Sequence, residues 1–434
     1  MNGPIVGIFG IVIMFLILFL LRIPVAVTMA IVGFIGIAYL TSFEAAIGML
    51  TSDLWNIFSN YGLTVIPLFI LLGEFVHYAG YNNSLYHATY KWFGHYKGGL
   101  AMTTIMASAA FSAISGSNTA TAATMSTVAI PAMKQYNYHP ALNSGAVAAG
   151  ATLGVLIPPS IVLVVYGLYT GQSIGKLFFG NIIPSVVLTV LIALTVVYIC
   201  HKHPDWGPRG PKSTWKERIQ ALPAALDILV LFVVVMAALY TGVVTATEAA
   251  ALGCALALII CLVRKKLNYK GFRASLIDTL RISCMIFLIL AGAVIFGRFL
   301  TLTRLPFEAA QIIGSLALPP WLLLWLILFC YILGGCVMDA LAFLLVSLPI
   351  FYPLVQQLGY DPIWFGQVIT IVTTMGSIMP PIGICCYVVS GISDIPLATV
   401  FKGGMYYIPS YIIAIVILML FPYGTVMVLS DLVK

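Results

Sequence analysis

The sequence predicts an all-α polytopic membrane protein made of two inverted-topology repeats, each holding a re-entrant helical hairpin and a broken transmembrane helix. Three observations predict it. Of 434 residues, 62% are hydrophobic and only 8% charged, whereas a soluble chain carries about a quarter charged residues. One interruption occurs twice: Thr152-Leu-Gly-Val-Leu-Ile-Pro-Pro159 aligns on Thr374-Met-Gly-Ser-Ile-Met-Pro-Pro381 with every position shifted by 222. Each copy follows a small-residue stretch set in oily surroundings, Phe111–Met125 in the first half and Gly334–Ala342 in the second. Lipid offers no hydrogen-bond partners, so backbone that leaves the helix at membrane depth must be packed inside protein or line a polar cavity. A single Gly/Pro interruption is explained as an ordinary kink. A repeated one in corresponding halves marks a binding site of the kind transporters build.

A span needs about 20 apolar residues. The scaffold of residues 1–80 is read as spans Pro4–Leu21, Pro24–Leu40 and Gly62–Ala79, with Phe43–Phe58 in the interface. The aromatic stretch Tyr81–Lys97, with Lys91, Trp92, Tyr96 and Lys97, reads either as a headgroup-level arm over 81–99 or as a plain connecting loop. Residues 100–136 are too long for one helix and poorly shaped for two spans; a hairpin with its tip at Ser115-Gly-Ser-Asn118 fits. A broken helix over 141–171 and an uninterrupted span over 177–199 complete a first repeat of residues 1–205. After a linker at 206–221 the pattern restarts. Residues 222–434 form the second repeat, with spans at Leu222–Tyr240, Thr245–Val263 and Leu276–Leu300, an interfacial Pro306–Leu316, a hairpin at 320–355, a broken helix at 363–389 and a last span at Met405–Phe421. Gly33 and Gly253 close the comparable stretches VAVTMAIVG and TATEAAALG, 220 positions apart.

Orientation follows from the cations. Pro4–Leu21 has no preceding positive region and is followed by Arg22, so it is expected to be a retained span with its N-terminus outside rather than a signal peptide. Lys202, Arg209, Lys212, Lys216 and Arg218 place the central linker in the cytoplasm, and two spans later Arg264, Lys265, Lys266, Lys270 and Arg273 fall on the same side. Counting back puts Arg22, Lys91, Lys97 and Lys134 inside. Each half then crosses an odd number of times, so the first hairpin enters from the cytoplasm, the second from outside, and the two meet near the midplane.

The net charge of +7 therefore reports topology; no basic stripe or recognition module points to nucleic acid. The eight cysteines lie in apolar runs without metal spacing and read as small core hydrophobes. The six histidines fall singly at span ends or in loops, and nothing cradles a triphosphate or forms a hydrolase triad, which excludes an enzyme. What remains suits a small hard cation beside an anion. Ser115, Ser117, Asn118, Thr119, Thr121 and Thr124 supply oxygens in the first hairpin, and Gly154, Ile157 and Pro158 supply main-chain carbonyls in the first break. Gly335, Gly376, Ser377, Met379 and Ile382 offer the same roles in the second half. Ser117, Thr119, Ser160, Asp339 and Ser377 are the candidate substrate contacts. Asp339 is the one acid of the second hairpin and reads equally as a functional carboxylate or a helix cap. Glu74, Glu248, Arg281, Arg298 and Asp394 could pair, snorkel or anchor, Glu248 most naturally by capping.

On these residues the chain resembles the large membrane (M) subunit of tripartite ATP-independent periplasmic (TRAP) transporters, in the wider ion-transporter superfamily. Leu21-Arg-Ile-Pro-Val-Ala-Val27, Ser115-Gly-Ser-Asn-Thr-Ala-Thr121, Gly154-x-x-Ile-Pro-Pro159, Ala246-Thr-Glu-Ala-Ala250, Met338-Asp-Ala340 and Gly376-x-x-Met-Pro-Pro-x-Gly383 carry the resemblance over essentially the full length. It implies an elevator-type, Na⁺-coupled importer of a small organic anion in a bacterial inner membrane. A periplasmic substrate-binding protein (P type) would deliver the anion, and a small four-helix membrane subunit (Q type) would brace the chain. By the same resemblance Ser115, Asn118, Gly154, Ile157 and Pro158 match one sodium site, and Gly335, Gly376, Met379 and Ile382 the other. Met379 stands where a threonine is common, which would reshape the second site. Because the first span begins so near residue 1, the small subunit is expected as a separate chain, with Trp55, Phe58, Trp92 and Phe93 contacting it or the lipid bilayer. The alternative is a self-sufficient Na⁺/dicarboxylate-type symporter of the same superfamily.

Overall fold

Helix follows helix along the described residues. The computed structural model describes residues 3–21, 23–315 and 319–432, and no strand occurs among them. The first half runs α1 (Gly3–Leu16), α2 (Val25–Leu40), α3 (Phe43–Phe58), α4 (Val65–Tyr78), α5 (Tyr81–Phe93), α6 (Gly99–Ser115), α7 (Asn118–Gln135), α8 (Pro140–Ala151), α9 (Ile161–Thr170), α10 (Ile174–Gly180) and α11 (Ile182–Lys202). The second runs α12 (Trp215–Tyr240), α13 (Ala246–Val263), α14 (Tyr269–Leu302), α15 (Leu305–Ser315), α16 (Pro320–Val337), α17 (Ala340–Gln357), α18 (Pro362–Gly376), α19 (Ile384–Ser393), α20 (Leu397–Met405) and α21 (Ile408–Leu420). Among the described residues eight segments are long and apolar enough to cross a membrane, and α12, bent by 52° where Pro223 removes a helical donor, makes a ninth. Large apolar side chains such as Phe9, Leu194, Leu229, Ile259 and Phe329 face outward. In water such a surface would aggregate; in a bilayer it is the solvated face. The chain is a multi-pass membrane protein.

Helix starts obey local chemistry. Ser42, Ser117, Ser160, Asn268 and Asp361 each accept a backbone N–H of the following first turn. Thr214 with Glu217 and Thr245 with Glu248 form reciprocal capping boxes, so capping is the role of Glu248. Lys91 Nζ lies 3.8 Å from Glu217 Oε1 at the start of α12. The stretch 81–97 is helical over α5, and α12 begins at Trp215, inside the polar linker. The last span of the first half starts at Ile174 and is nicked at Asn181, whose side chain bonds the Leu156 carbonyl. The final span likewise begins early, at Leu397. Arg22 and Leu316 lie outside the described residues. Six cysteines are buried as expected; Cys284 and Cys330 are exposed.

Packing pairs the halves reciprocally. Hairpin α6–α7 lies on α8, and hairpin α16–α17 lies on α18. Across the halves α2 packs on α14 while α4 packs on α13; α8 packs on α20 while α18 packs on α10; and α7 packs on α19 while α17 packs on α9. α2, α4, α13 and α14 pack on one another, with α14 also against α17 and α4 against α6; beside them the hairpins and their broken helices surround the fully buried Tyr166, Phe178, Tyr331, Phe365 and Tyr411.

Candidate functional site: two hairpin tips on one cavity

The breaks arise from missing donors. In an α-helix the carbonyl of residue i is bonded by the N–H of i+4. For Gly154 and Gly376 that position is Pro158 and Pro380, which have no N–H. Helix α8 accordingly passes through a 3₁₀ turn, Thr152–Val155, and stops, and a new helix begins only at Ile161. Helix α18 stops at Gly376 and the chain restarts at Ile384, after Gly383 with φ +55°. Pro158-Pro159 and Pro380-Pro381, 222 positions apart, are the two cis peptides among the described residues.

Each break packs on the tip of its own hairpin. At the first, Gly116 turns the chain with φ +59° and Ser117 caps α7. A Cβ on Gly154 would collide with the Ser117 carbonyl and the Thr121 hydroxyl, so glycine is what admits the approach. Hydroxyls crowd this tip: Ser115 Oγ lies 2.9 Å from Thr121 Oγ1, and Ser117 Oγ lies 3.1 Å from Thr119 Oγ1. Asn118 is 3% exposed, and its Oδ1 has no hydrogen-bond partner among the described residues. A buried acceptor left open is costly, and a bound cation would satisfy it.

The second tip is built from backbone. Gly335 and Gly376 meet main chain to main chain, and a Cβ on Gly335 would strike the Thr373 carbonyl. The Cys336 carbonyl accepts from the N–H groups of Ile382 at 3.1 Å and Gly383 at 3.0 Å, tying the break to the hairpin. Asp339 caps α17, accepting from Leu341 N at 3.1 Å. Capping is thus its observed role, and it also lines the cavity described next.

The tips share a cavity of ≈ 1320 Å³. Ser115, Ser117, Asn118, Thr119, Asp339 and Ile382 line it from the two hairpins and the second break. Gly154, Ile157, Pro158, Gly335, Gly376 and Met379 stand behind these residues, within the breaks or at the hairpin end, and are not part of the lining. Ser160 and Ser377 are buried: Ser160 caps α9, and Ser377 donates to the Thr374 carbonyl at 2.6 Å. The opposite wall belongs to α4 and α14, through Glu74, His77, Tyr78, Asp278 and Arg281. His77 Nδ1 accepts from Asn82 Nδ2 at 2.9 Å and lies 3.4 Å from Thr124 Oγ1 on the first hairpin. Tyr78 Oη donates to Asp278 Oδ2 at 2.5 Å. Sequence reasoning named Glu74 and Arg281 without assigning them to this wall. The readable signal was their spacing, since Glu74, His77 and Tyr78, like Asp278 and Arg281, repeat at three or four residues and share a helix face. Among the described residues no cluster of three or more His, Cys, Asp or Glu could hold a metal.

Apolar spans beside a large open cavity on which two hairpin tips converge are the build of a membrane transporter. A family model described as the DctM component of tripartite ATP-independent periplasmic transporters matches residues 12–424. The C4-dicarboxylate TRAP transporter large permease protein DctM of Pseudomonas aeruginosa is 32% identical over 378 residues, covering 86% of this chain and 87% of that protein. The sialic acid TRAP transporter large permease protein SiaM of Vibrio cholerae is 31% identical, covering 85% and 86%. The isethionate TRAP transporter permease protein DctMQ of Oleidesulfovibrio alaskensis is 32% identical and covers 90% of this chain but 61% of that protein. Among solved structures, the YdaH transporter of Alcanivorax borkumensis aligns with a TM-score of 0.65 at 14% identity, covering 89% of this chain and 90% of that one, a likeness of fold. The chain belongs to the DctM large-permease family of TRAP transporters. It is therefore a transporter subunit and not an enzyme.

Proposed function

We propose that this chain is the large transmembrane subunit of a Na⁺-coupled importer of a small organic anion of carboxylate or sulfonate type. A periplasmic substrate-binding protein delivers the anion and a small four-helix membrane subunit braces the scaffold. One observation carries the reading: two hairpin tips, each backed by a Pro-Pro break, converge on one cavity. The Gly154 carbonyl, which loses its i+4 donor to Pro158, the hydroxyls of Ser115 and its neighbours and the open Asn118 Oδ1 are hard oxygens suited to Na⁺. Ser115, Asn118, Gly154, Ile157 and Pro158 are assigned to one sodium site and Gly335, Gly376, Met379 and Ile382 to the other. Ser117, Thr119, Ser160, Asp339 and Ser377 are assigned to the substrate region.

Sodium would neutralise the acidic cavity and supply attraction for the incoming anion. The reciprocal pairing of elements about 222 residues apart supports two inverted repeats, residues 1–205 and 222–434 joined by a linker at 206–221. The mutual packing of α2, α4, α13 and α14 beside the hairpins supports an elevator, in which the hairpin body carries anion and sodium past a fixed wall. Relatives named for C4-dicarboxylates, sialic acid and isethionate bound the substrate class. Liposomes containing this chain and its small-subunit partner, supplied with binding protein, test the reading. Uptake of the cognate anion driven by a Na⁺ gradient and absent with K⁺ supports it. Uptake by this chain alone would establish the self-sufficient symporter instead.

A further inference from the structure

Three arginines of the α2, α4, α13, α14 group make ion pairs, and they differ in how much of the guanidinium is left free. Arg264 closes a two-pronged fork on Asp227, with Nε to Oδ2 at 3.0 Å and Nη2 to Oδ1 at 2.8 Å. Arg298 closes the same fork on the buried Asp53. Arg281 makes one long bond, Nη1 to Asp278 Oδ1 at 3.4 Å, and its side chain is 77% exposed. Asp278 is held in turn by Tyr78, so the pair is oriented from behind while the outer edge of the guanidinium stays open. A guanidinium has five donors in a planar fork matched to two-oxygen anions.

Its location makes this open fork informative. Arg281 lines the cavity and is the one lysine or arginine among its lining residues, where the acids are Glu74, Asp278 and Asp339. An organic anion entering such a field is repelled unless a cation meets it. Arg281 lies about 18 Å along α14 from Tyr269, on the wall facing the hairpin tips. The same end of α14 follows the basic run Arg264–Lys266, Lys270 and Arg273, which charge bias places in the cytoplasm.

We propose that Arg281 is a specificity-determining residue of the fixed wall. Its free edge takes the carboxylate or sulfonate of the transported anion as the anion leaves the hairpin tips, and Asp278 and Tyr78 are positioning residues for it. The assignment deepens the transport reading given above and rests on it. A phospholipid phosphate offers the same oxyanion chemistry, so the test separates the two sources.

Cys284 is a built-in reporter, since it is exposed, lines the cavity and lies three residues from Arg281. With the other exposed thiol removed by Cys330→Ser, the full chain is reconstituted in nanodiscs of neutral lipid and of lipid containing phosphatidylglycerol. The alkylation rate of Cys284 is then followed against succinate, isethionate and N-acetylneuraminate. At least one of these anions is expected to slow labelling. Arg281→Gln is expected to raise the concentration needed by about ten-fold, the scale of one charge-assisted hydrogen bond, and Arg281→Lys to restore part of it in both lipids. No protection by any of the three anions, equal protection in wild type and Arg281→Gln, or protection governed by phosphatidylglycerol alone would overturn the assignment. Loss of Na⁺-driven uptake in the unmodified three-component system would strike the transport reading instead, while the labelling still decides the role of Arg281.

Discussion

The two hairpin tips are the same backbone device carrying different side-chain chemistry. At a shift of 222, Ser117 corresponds to Asp339, and each caps the helix that follows it. Their neighbours diverge. Ser115, Asn118, Thr119 and Thr121 of the first tip correspond to Val337, Ala340, Leu341 and Phe343 of the second. Behind them Ile157 corresponds to Met379, and Gly154 to Gly376. Side-chain oxygens crowd the first tip, whereas the second offers main-chain groups and a single carboxylate. A binding site that relies on backbone needs only the Gly and Pro residues that set the chain path, so its side chains drift toward apolar packing. One that relies on side chains must keep its hydroxyls and amide.

That contrast can be broken most severely at the glycines. Gly335→Ala and Gly376→Ala place a methyl against backbone that cannot yield, at about 3 kcal/mol each, and thermal melts of the purified chain should show the loss together with abolished uptake. Gly154→Ala meets the Ser117 backbone just as closely and is expected to cost a similar amount, about 3 kcal/mol. A melt unchanged at any of the three would show that the hairpin tips do not pack this closely on the breaks.

Removing one oxygen sharpens the comparison. Asn118→Ala should weaken Na⁺ dependence by about 1–2 kcal/mol, a rise of roughly 5–30-fold in the Na⁺ needed for half-maximal uptake. Its counterpart Ala340→Asn should not strengthen Na⁺ dependence if the proposed second site draws on main chain. At the caps, asparagine serves as well as aspartate. Asp339→Asn should therefore leave the melting temperature unchanged while lowering uptake; Asp339→Ala should in addition cost about 1 kcal/mol of stability. Unimpaired uptake by the asparagine variant would confine Asp339 to capping. The smallest effect lies where the repeats begin: α13 starts with the Thr245–Glu248 capping box, whereas α2 starts at Pro24 without a side-chain cap. Thr245→Ala should cost about 1 kcal/mol, read as faster amide exchange in the first turn of α13 with transport intact.

How much could be read from the sequence follows the same division. The breaks were legible because proline lacks a donor wherever it stands, and the tips because glycine and small polar residues are out of place in an oily run. Asn181 could not be read as a break within its span, since its reason is tertiary, a side chain reaching the Leu156 carbonyl. The orientation of Ser160 and Ser377 away from the cavity was equally hidden, because a hydroxyl at a break looks the same whether it caps a helix or faces a ligand. The wall of Tyr78, Asp278 and Arg281 joins residues 200 positions apart, which only packing brings together. Helix α5 was ambiguous because its buried Tyr81, Leu85 and Tyr86 alternate with polar residues in a stretch of low hydropathy.

The most direct test of the central claim is the melting of the purified chain, without partners or substrate, in NaCl against KCl at equal ionic strength. Binding to the folded state alone raises its stability with ligand concentration. Two sodium sites at the tips predict a Na⁺-specific rise in melting temperature that is reduced by Asn118→Ala. Identical melting in the two salts, with the Asn118 variant indistinguishable from wild type, would contradict it.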